Sequence, residues 1–304
     1  MARRKRGRPV HGWLILDKPL GMTSTQAVGV IKRLFDAEKA GHAGTLDPLA
    51  TGVLPIALGE ATKTVSYAVD GVKSYRFAVR WGGETTTDDT EGEITAQSDL
   101  RPSRAEIDAA LPAFRGPIQQ VPPQFSAIKV DGNRAYDLAR DGEAVKLEAR
   151  EVRIDSLEIV ELPDADTAVF EAVCGKGTYV RSLARDLGRV LGCHGHVLTL
   201  RRTRVGPFHS ENAWPLDKLR TLAGEGEIDS SLLPVENALT DLLHVPLSSP
   251  DAARIAQGQA VVLRGRDAPI VTGVAYVTCK GRLLALVEMT KGEIRPTRVF
   301  NLGV

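Results

Sequence analysis

The chain has 304 residues, of which 43% are hydrophobic and 25% are charged, a composition that predicts a globular protein with a sizeable core. Its formal net charge of +1 does not by itself mark a nucleic-acid binder. We find no apolar run that approaches a membrane span and no apolar core of a signal peptide, so we expect a cytoplasmic protein that does not bind membranes. Three widely spaced cysteines predict no disulfide framework.

In chain order, the pattern first predicts a short apolar strand and then a helix that Thr23 or Ser24 caps. Alternating and helical spacings then predict strands and helices that interleave irregularly. The predicted strands cover residues 13–17, 75–81, 126–130, 152–162, 168–174 and 196–204, and the predicted helices cover 24–35, 103–114, 133–140 and 178–191. Acidic and threonine-rich residues 84–93 are predicted to form a mobile loop. Because several strands lie within hairpin distance, we predict an α+β fold rather than a doubly wound parallel sheet.

From about residue 245 the pattern changes to brief strands separated by glycine turns. A short helix is predicted at 250–257, and strands are predicted at 260–263, 271–278, 282–289 and 295–301. We therefore divide the chain into a basic flexible tail over residues 1–10, a large domain over 11–244 and a small β-rich domain over 245–304.

Residues 41–63, with the sequence GHAGTLDPLATGVLPIALGEATK, fit no ordinary element. Pro48 and Pro55 argue against an unbroken helix, and four glycines argue against a long strand. The segment is nevertheless too apolar for a solvated loop, so we predict that it packs against the protein and presents Asp47 from a rigid turn. The alternative is that Asp47 only caps a helix that begins at Pro48.

This segment closely resembles the catalytic segment of the bacterial tRNA pseudouridine-55 synthases, the TruB-type family, whose essential aspartate lies in a GTLDPLATG run. Further runs match those of the family in order and spacing: KPLGMTS at 18–24, KSY at 73–75, PPQFSAIK at 122–129, GTYVRS at 177–182 and LRR at 200–202. The resemblance implies the pseudouridine synthase catalytic fold, a mixed, largely antiparallel sheet flanked by helices. Less specifically, residues 245–304 resemble the PUA-like RNA-binding domain of the family.

The resemblance implies an enzyme that isomerises uridine 55 in the T-loop of tRNA to pseudouridine. In that reaction the C1′–N1 bond breaks, the uracil rotates and the base rejoins the ribose through C5. No atom is gained or lost, so we expect no cofactor and no metal. Michael addition to C6, an acylal at C1′ and a glycal route all remain open. The T-arm of tRNA is the expected partner of a monomer that needs no other protein.

The resemblance also assigns the residues around the reacting base. Asp47 would be the nucleophile or base, and Arg181 would hold it in a bidentate pair. Tyr75 would stack on uracil, and Leu200 would form an apolar wall of the pocket. Without the resemblance, Arg181 would be a helix-surface arginine, and the other two would be strand core.

The target base lies inside the folded T-loop, so the enzyme must flip it out. His42 is assigned by the resemblance to fill the gap that the flipped base leaves. Lys18 and Lys63 are candidate phosphate or support contacts, and Arg201 and Arg202 belong to a basic cluster that could contact phosphates.

Three other functional classes remain as alternatives. A zinc enzyme could use Cys193, His194 and His196, with His209 nearby, although adjacent ligands cannot readily reach one tetrahedral centre. An aspartate-dependent hydrolase would need a second acid or a histidine near Asp47, and Asp88 and Asp89 lie in the predicted mobile loop, which is a poor platform for one. A non-enzymatic RNA-binding or RNA-folding protein would rely on the β-rich domain instead.

Overall fold

The structure is a computed structural model that describes residues 7–126, 129–130, 133–134, 147–263 and 272–303. Its α-helices are α1 (Ser24–Leu34), α2 (Val65–Asp70), α3 (Arg104–Ala110), α4 (Val180–Val190), α5 (Leu216–Glu225) and α6 (Ser249–Ala256). Short 3-10 helices cover Gly59–Thr64, Leu111–Phe114, Ser210–Asn212, Ile228–Ser231 and Val235–Leu239. The strands of the first half are β1 (Gly12–Lys18), β2 (Ala40–His42), β3 (Ala50–Leu58), β4 (Lys73–Trp81), β5 (Gly83–Thr85), β6 (Ile94–Gln97), β7 (Gly116–Gln120), β8 (Lys129–Val130) and β9 (Asn133–Arg134). Those of the second half are β10 (Arg150–Asp164), β11 (Thr167–Cys174), β12 (Gly195–Val205), β13 (Phe208–His209), β14 (Trp214–Pro215), β15 (Leu243–Pro246), β16 (Val261–Val262), β17 (Gly273–Cys279), β18 (Arg282–Thr290) and β19 (Glu293–Val299).

The large sheet has the strand order β14-β1-β3-β12-β4-β11-β10-β7, with β2 on β3 and β13 on β12. The pairs β1–β14 and β3–β12 are parallel, and the other pairs of this sheet are antiparallel. The fold is therefore α+β with a mixed, largely antiparallel sheet, as the sequence predicts. The central position of β3 and β12 in this sheet places the predicted catalytic segment beside the LRR run.

Apolar side chains cover both faces of this sheet. On one face, helices α1, α3, α4 and α5 contribute Ile31, Ile107, Leu183 and Leu219 to the larger core. On the other face, a second cluster is built around Trp13 and the 3-10 helix Val235–Leu239. Because β3 lies between the two cores, every residue of it except Thr51 is buried, and its burial does not alternate.

A separate five-stranded sheet, in the order β15-β17-β18-β19-β16, forms the C-terminal part of the chain. It has a core of its own around Val277, Val287 and Ile294. Residues Leu283, Leu286 and Phe300 join the second cluster of the large sheet, so the two parts share an apolar interface. Two hydrogen bonds cross it as well, from Lys63 Nζ to the Val299 carbonyl (2.8 Å) and from the Asn301 amide to Glu60 Oε2 (2.8 Å).

Replacing Phe300 with alanine should lower the free energy of unfolding by about 3–5 kcal/mol, because it leaves a cavity in the shared interface. The ring is 5% exposed, and the Lys63 ammonium lies 5.8 Å from its centroid. Val262→Ala is the matched control, because that side chain is 56% exposed and its truncation should cost less than about 0.5 kcal/mol. Urea unfolding of both variants measures the difference. Equal midpoints would show that the interface does not contribute to stability.

Most predicted elements lie within a few residues of the observed ones, but the segment at 41–63 does not. It contains the nine-residue strand β3, which includes both Gly52 and Pro55. The prediction against a long strand is therefore wrong. The reason is that Gly52, at φ +97°, lies against the Arg202 carbonyl, where a Cβ would come within 2.2 Å. No helix begins at Pro48, which removes the capping alternative for Asp47.

The prediction of a mobile loop at residues 84–93 is also wrong. Strand β5 pairs with β6, and Asp88 and Asp89 are 5% and 2% exposed. Buried carboxylates need partners, and here buried arginines of α4 provide them. Acidic and threonine-rich residues predict a solvent-exposed loop, because the sequence does not show that buried arginines of α4 lie opposite them.

Three further differences concern smaller segments. Helix α5 was not predicted. Where a helix is predicted at 133–140, the first two residues form strand β9, and residues 135–140 lie outside the part of the chain that the structure describes. The tail is not free at Gly7–Val10, because Arg8 bonds to the Asp36 carbonyl through its amide and to Asp229 through its guanidinium. Residues 1–6 lie outside the described chain.

Candidate active site

Asp47 lies in the turn that joins β2 to β3, hereafter the Asp47 turn (residues 43–49). Its side chain is 38% exposed, although both neighbouring leucines, Leu46 and Leu49, are buried. The turn therefore exposes one carboxylate, while the buried leucine side chains beside it anchor the turn to the protein.

Side chains from three elements hold this backbone in place. Ser24, at the start of α1, bonds through its hydroxyl to both the amide (2.8 Å) and the carbonyl (3.0 Å) of Leu46. Lys18 donates to the Pro48 carbonyl (3.4 Å), which also accepts from the Gly21 amide (2.8 Å). Arg202, on β12, donates to the carbonyls of residues 44, 45 and 53. The position of Asp47 is therefore set by contacts that are distant in sequence.

Arg181, in the first turn of α4, contacts the Asp47 carboxylate. Its Nη2 lies 2.9 Å from Asp47 Oδ2, and its side chain is 5% exposed. The other terminal nitrogen, Nη1, lies 3.4 Å from Asp89 Oδ2, so the predicted bidentate pair with Asp47 is not what the structure contains. The same two nitrogens also donate to the carbonyls of Thr87 (3.0 Å) and Phe125 (2.8 Å). One guanidinium thus contacts two carboxylates and holds Asp47 Oδ2 on its Arg181 side.

Asp89 is a site residue that the sequence reasoning set aside, because it assigned residues 84–93 to a mobile loop. Its Oδ1 accepts hydrogen bonds from the Thr87 hydroxyl (2.5 Å) and the Glu91 amide (3.0 Å), which orient the carboxylate toward Arg181. Next to it, Asp88 Oδ2 lies 2.8 Å from Arg185 Nη1, one helical turn further along α4. Burial raises the pKa of Asp88 to about 6, against the opposing effect of Arg185. Two adjacent aspartates and two arginines at i and i+4 were the sequence signal for this network.

Asp47 and Arg181 border a cavity of about 260 Å³. Tyr75, Tyr179 and Leu200 contribute apolar surface to it, and Lys73 and Arg202 contribute polar groups. Leu200 is 7% exposed and lies opposite Phe77 of β4 and Ala50 of β3, which places it on the wall nearest the Asp47 turn. Burial raises the pKa of the Tyr75 hydroxyl, which keeps it protonated at neutral pH. The structure thus brings together the four residues predicted to act on the base.

Two of the five residues predicted to bind RNA are buried instead. Lys18 is fully buried, and its ammonium also donates to the carbonyls of Pro19 (2.9 Å) and Met22 (2.7 Å). Arg202 is 2% exposed, and its hydrogen bonds go to three main-chain carbonyls and to the Tyr75 hydroxyl. A basic cluster in a sequence predicts phosphate contacts only if its side chains reach the surface, and these do not. Both side chains support the Asp47 turn, which for Lys18 is the support alternative of the prediction and for Arg202 corrects the predicted phosphate contact.

The other three keep some exposure. Lys63 pairs with Glu60 (2.5 Å) and bonds to the C-terminal sheet, so its contacts are those of a support residue. Arg201 is 40% exposed and forms two hydrogen bonds with Asp17, at 2.9 and 3.0 Å. His42 ends β2, and its buried Nδ1 has no hydrogen-bond partner among the residues described. Burial, aided by the charge of Arg202, lowers the pKa of His42 and favours its neutral form.

Lys18 gives the site an expected pH dependence. Burial lowers the pKa of its ammonium to about 8, although the Asp47 carboxylate acts in the opposite direction. As the pH rises through 8 the ammonium loses a proton, and the neutral amine has only two N–H groups for three carbonyls. We therefore expect the single-turnover rate to fall above about pH 8.

Burial also lowers the pKa of Lys73 to about 8, so both lysines lose a proton in the same pH range. Substitution of each lysine in turn shows which of them causes the fall in rate. Lys18→Met should react slowly at every pH and lose this fall in rate, whereas Lys73→Met should keep it. A rate profile from pH 6 to 9.5 measures both variants. A wild-type rate that stays level to pH 9.5 would show that Lys18 does not act through its charge.

The residues of the zinc alternative are engaged elsewhere. Cys193 is buried with its thiol 3.8 Å from the Gly188 carbonyl, and His196 Nδ1 lies 2.8 Å from the Gly83 carbonyl. No group of three or more His, Cys, Asp or Glu side chains suited to a metal is found in the part of the chain that the structure describes. Within the same ranges, no helix is both long and apolar enough to span a membrane.

The fold and this carboxylate-centred cavity define the class of protein, and comparison with known families specifies it. Residues 32–180 match the family model of the TruB family pseudouridylate synthase (N terminal domain), and residues 181–240 match that of the tRNA pseudouridylate synthase B C-terminal domain.

Relatives and solved structures agree with these matches. The tRNA pseudouridine synthase B of Bradyrhizobium diazoefficiens is 61% identical over 304 residues, which cover 98% of this chain and 88% of the relative. That of Brucella melitensis is 56% identical, with all of both chains covered. A chain in the crystal structure of a Cbf5-Nop10-Gar1 complex superimposes with a TM-score of 0.73 at 28% identity, covering 96% of this chain and 85% of its own.

The chain belongs to the TruB family of pseudouridylate synthases. It is thus an isomerase that converts uridine to pseudouridine.

Proposed function

We propose that this enzyme modifies uridine 55 in the T-loop of tRNA and that Asp47 is its nucleophile or base. The observation that carries the mechanism is the 2.9 Å contact between Arg181 Nη2 and Asp47 Oδ2 at the edge of the cavity. One carboxylate oxygen is engaged by this contact. The other can approach a base, because more than a third of the side chain is exposed.

The cavity favours a single base as its occupant. Its volume of about 260 Å³ is below the roughly 300–1,000 Å³ of sites for larger ligands. A base can enter such a cavity only after it leaves its stack, so the substrate must be flipped out or already unstacked. Tyr75 and Leu200 offer flat and apolar surface on which the detached uracil can be retained while it rotates.

The choice of tRNA rests on the relatives, which are named tRNA pseudouridine synthase B. The T-loop site, the monomeric state and the cytoplasmic location predicted from the sequence remain parts of the same proposal. His42 stays our candidate for the residue that fills the gap left by the flipped base. Its position at the end of β2, five residues before Asp47, supports this role.

The C-terminal sheet, as a PUA-like domain over 245–304, would extend the RNA-binding surface without contacting the reacting base. Of the basic residues on this part of the chain, Arg264 and Arg266 lie outside the described residues. Lys280 lies in the turn between β17 and β18. The shared apolar interface makes this sheet part of one folded unit, so point substitutions such as Lys280→Glu test its role better than truncation. That variant should bind tRNA with a shallower salt dependence and unchanged chemistry.

Mapping of pseudouridine in unmodified tRNA transcripts tests the proposal. After incubation with the purified enzyme, pseudouridine should appear at position 55, and a transcript with cytidine at that position should stay unmodified. Asp47→Asn serves as the enzyme control. Pseudouridine at another position would contradict the assigned site, and its formation by the Asn variant would contradict the assigned nucleophile or base.

A further inference from the structure

Arg202 is a buried arginine whose contacts are all internal. Its Nε donates to the Val53 carbonyl (2.9 Å), Nη1 to the Thr45 carbonyl (3.3 Å) and Nη2 to the Gly44 carbonyl (3.0 Å). Tyr75, its cross-strand neighbour on β4, also bonds to it through the hydroxyl. A buried guanidinium is costly unless its donors are satisfied, and here carbonyls of β3 and of the Asp47 turn satisfy them.

The three carbonyls lie on either side of Asp47 in the sequence. Gly44 and Thr45 precede it by three and two residues, and Val53 follows it by six. One planar group therefore joins the start of the Asp47 turn to strand β3 and ties both of them to β12. Ser24 holds the middle of the turn at Leu46, so the two contacts complement each other.

The backbone around Arg202 is fitted to this contact. Gly52 pairs with Arg202 across β3 and β12, at φ +97° and with its Cα facing the Arg202 carbonyl. Gly44, at φ +90°, has Nη1 of Arg202 3.4 Å from the place of a Cβ. A side chain at position 52 would collide with the Arg202 carbonyl, and one at position 44 would be strained by the positive φ. Gly52 thus allows the close approach of this arginine to β3.

We propose that Arg202 is a positioning residue that sets the distance of the Asp47 carboxylate from Arg181 and from the base in the cavity. The inference rests on the proposed role of Asp47. It assigns Arg202 to the chemical step rather than to RNA binding, since a side chain that is 2% exposed does not reach a phosphate.

The charge of Arg202 adds a second effect on the cavity. Burial lowers the pKa values of His42 and Lys73, and the Arg202 charge acts in the same direction on both. A fixed cation below the cavity therefore disfavours further positive charge on its other walls. Arg181 is the cation in direct contact with the Asp47 carboxylate, at 2.9 Å.

Two variants separate geometry from charge. Arg202→Lys keeps the charge but cannot direct three donors along a planar fork, and Arg202→Met keeps the length without charge or donors. We expect both to lower the single-turnover rate constant on tRNA by about 100-fold, since a displacement of about 1 Å can cost that much. The dissociation constant for tRNA should stay within about twofold of the wild-type value. Arg80→Lys, an exposed arginine of β4, is the matched control and should behave as wild type.

A positioning role and a purely structural role are distinguished by two quantities, the single-turnover rate constant and the fraction of enzyme that reacts. Partial unfolding lowers the fraction of enzyme that reacts and leaves the rate constant of the folded fraction unchanged. A misplaced carboxylate lowers the rate constant while the amplitude stays complete. Thermal melting of each variant, with Arg202→Gln as a third, identifies the folded ones. If none of the three folds, Arg202 is a folding residue and the proposal is wrong.

Two other results would overturn it. A rate constant for Arg202→Lys within about threefold of wild type would show that the three-carbonyl geometry does not matter. A tenfold loss of tRNA affinity at an unchanged rate constant would return Arg202 to RNA binding. Failure of the wild-type enzyme to form pseudouridine in tRNA would contradict the proposed function and is visible before any variant is compared.

Discussion

Asp47→Asn should abolish the formation of pseudouridine, with a loss of about 10⁴-fold or more in the single-turnover rate constant. The amide has nearly the shape of the carboxylate and can still accept a hydrogen bond from Arg181. It has no negative charge with which to attack or to accept a proton. The affinity for tRNA should change little, because phosphate contacts elsewhere dominate binding. Release of tritium from C5 of labelled uridine measures the rate, and filter binding measures the affinity.

Asp108→Asn is the matched control, because that aspartate is exposed and pairs with Arg104 on α3. It should retain wild-type activity. Turnover by Asp47→Asn within about tenfold of this control would show that the carboxylate is not the reacting group. A large loss of tRNA affinity in Asp47→Asn would instead mean that the carboxylate organises the RNA-binding surface.

Arg181→Lys should lower the rate constant by about 100-fold or more. Arg181 contacts two carboxylates and two carbonyls through two nitrogens that are fixed in one plane. A lysine ammonium is a single point with three donors and cannot reach all four acceptors. Asp47 would then lose its defined orientation, although the positive charge is kept. Single-turnover kinetics at saturating enzyme measures the effect separately from binding.

Arg185→Lys separates this effect from stability. Arg185 lies one turn further along α4, is equally buried and pairs with Asp88 rather than with Asp47. Both substitutions should lower the melting temperature, because both disturb a buried ion pair. Only Arg181→Lys should lower the rate constant of the folded enzyme strongly. Equal effects of the two on that rate constant would demote Arg181 to a structural role.

The buried network at residues 84–93 links the two arginines of α4 to the rest of the site. Asp89 holds Nη1 of Arg181, and Asp88 holds Arg185, so this segment fixes the side of α4 that faces the cavity. The isolated bridge between Asp89 and Val197 attaches it to β12, the strand that also presents Leu200. The segment predicted to be mobile is therefore part of the framework that supports the pair of Asp47 and Arg181.

The sequence by itself determined the class of fold and the position of Asp47 at a turn. Local patterns suffice for this because strands, caps and turns depend on near neighbours, as Thr23 and Ser103 show by capping their predicted helices. The resemblance in ordered motifs then identified the family and implied the four residues that meet at the cavity. These features are written in short runs of adjacent residues.

Only the tertiary structure decided what each basic residue does. Lys18, Arg201 and Arg202 look alike in the sequence, yet Lys18 is enclosed by carbonyls, Arg201 pairs with Asp17 at the surface, and Arg202 lies beneath the Asp47 turn. Solvent exposure depends on which strands become neighbours, and β12 lies beside β3 after an interval of well over a hundred residues. The same holds for Asp88 and Asp89, whose burial depends on arginines almost a hundred residues away. Burial and ion pairing are properties of such distant contacts, and a local pattern contains no record of them.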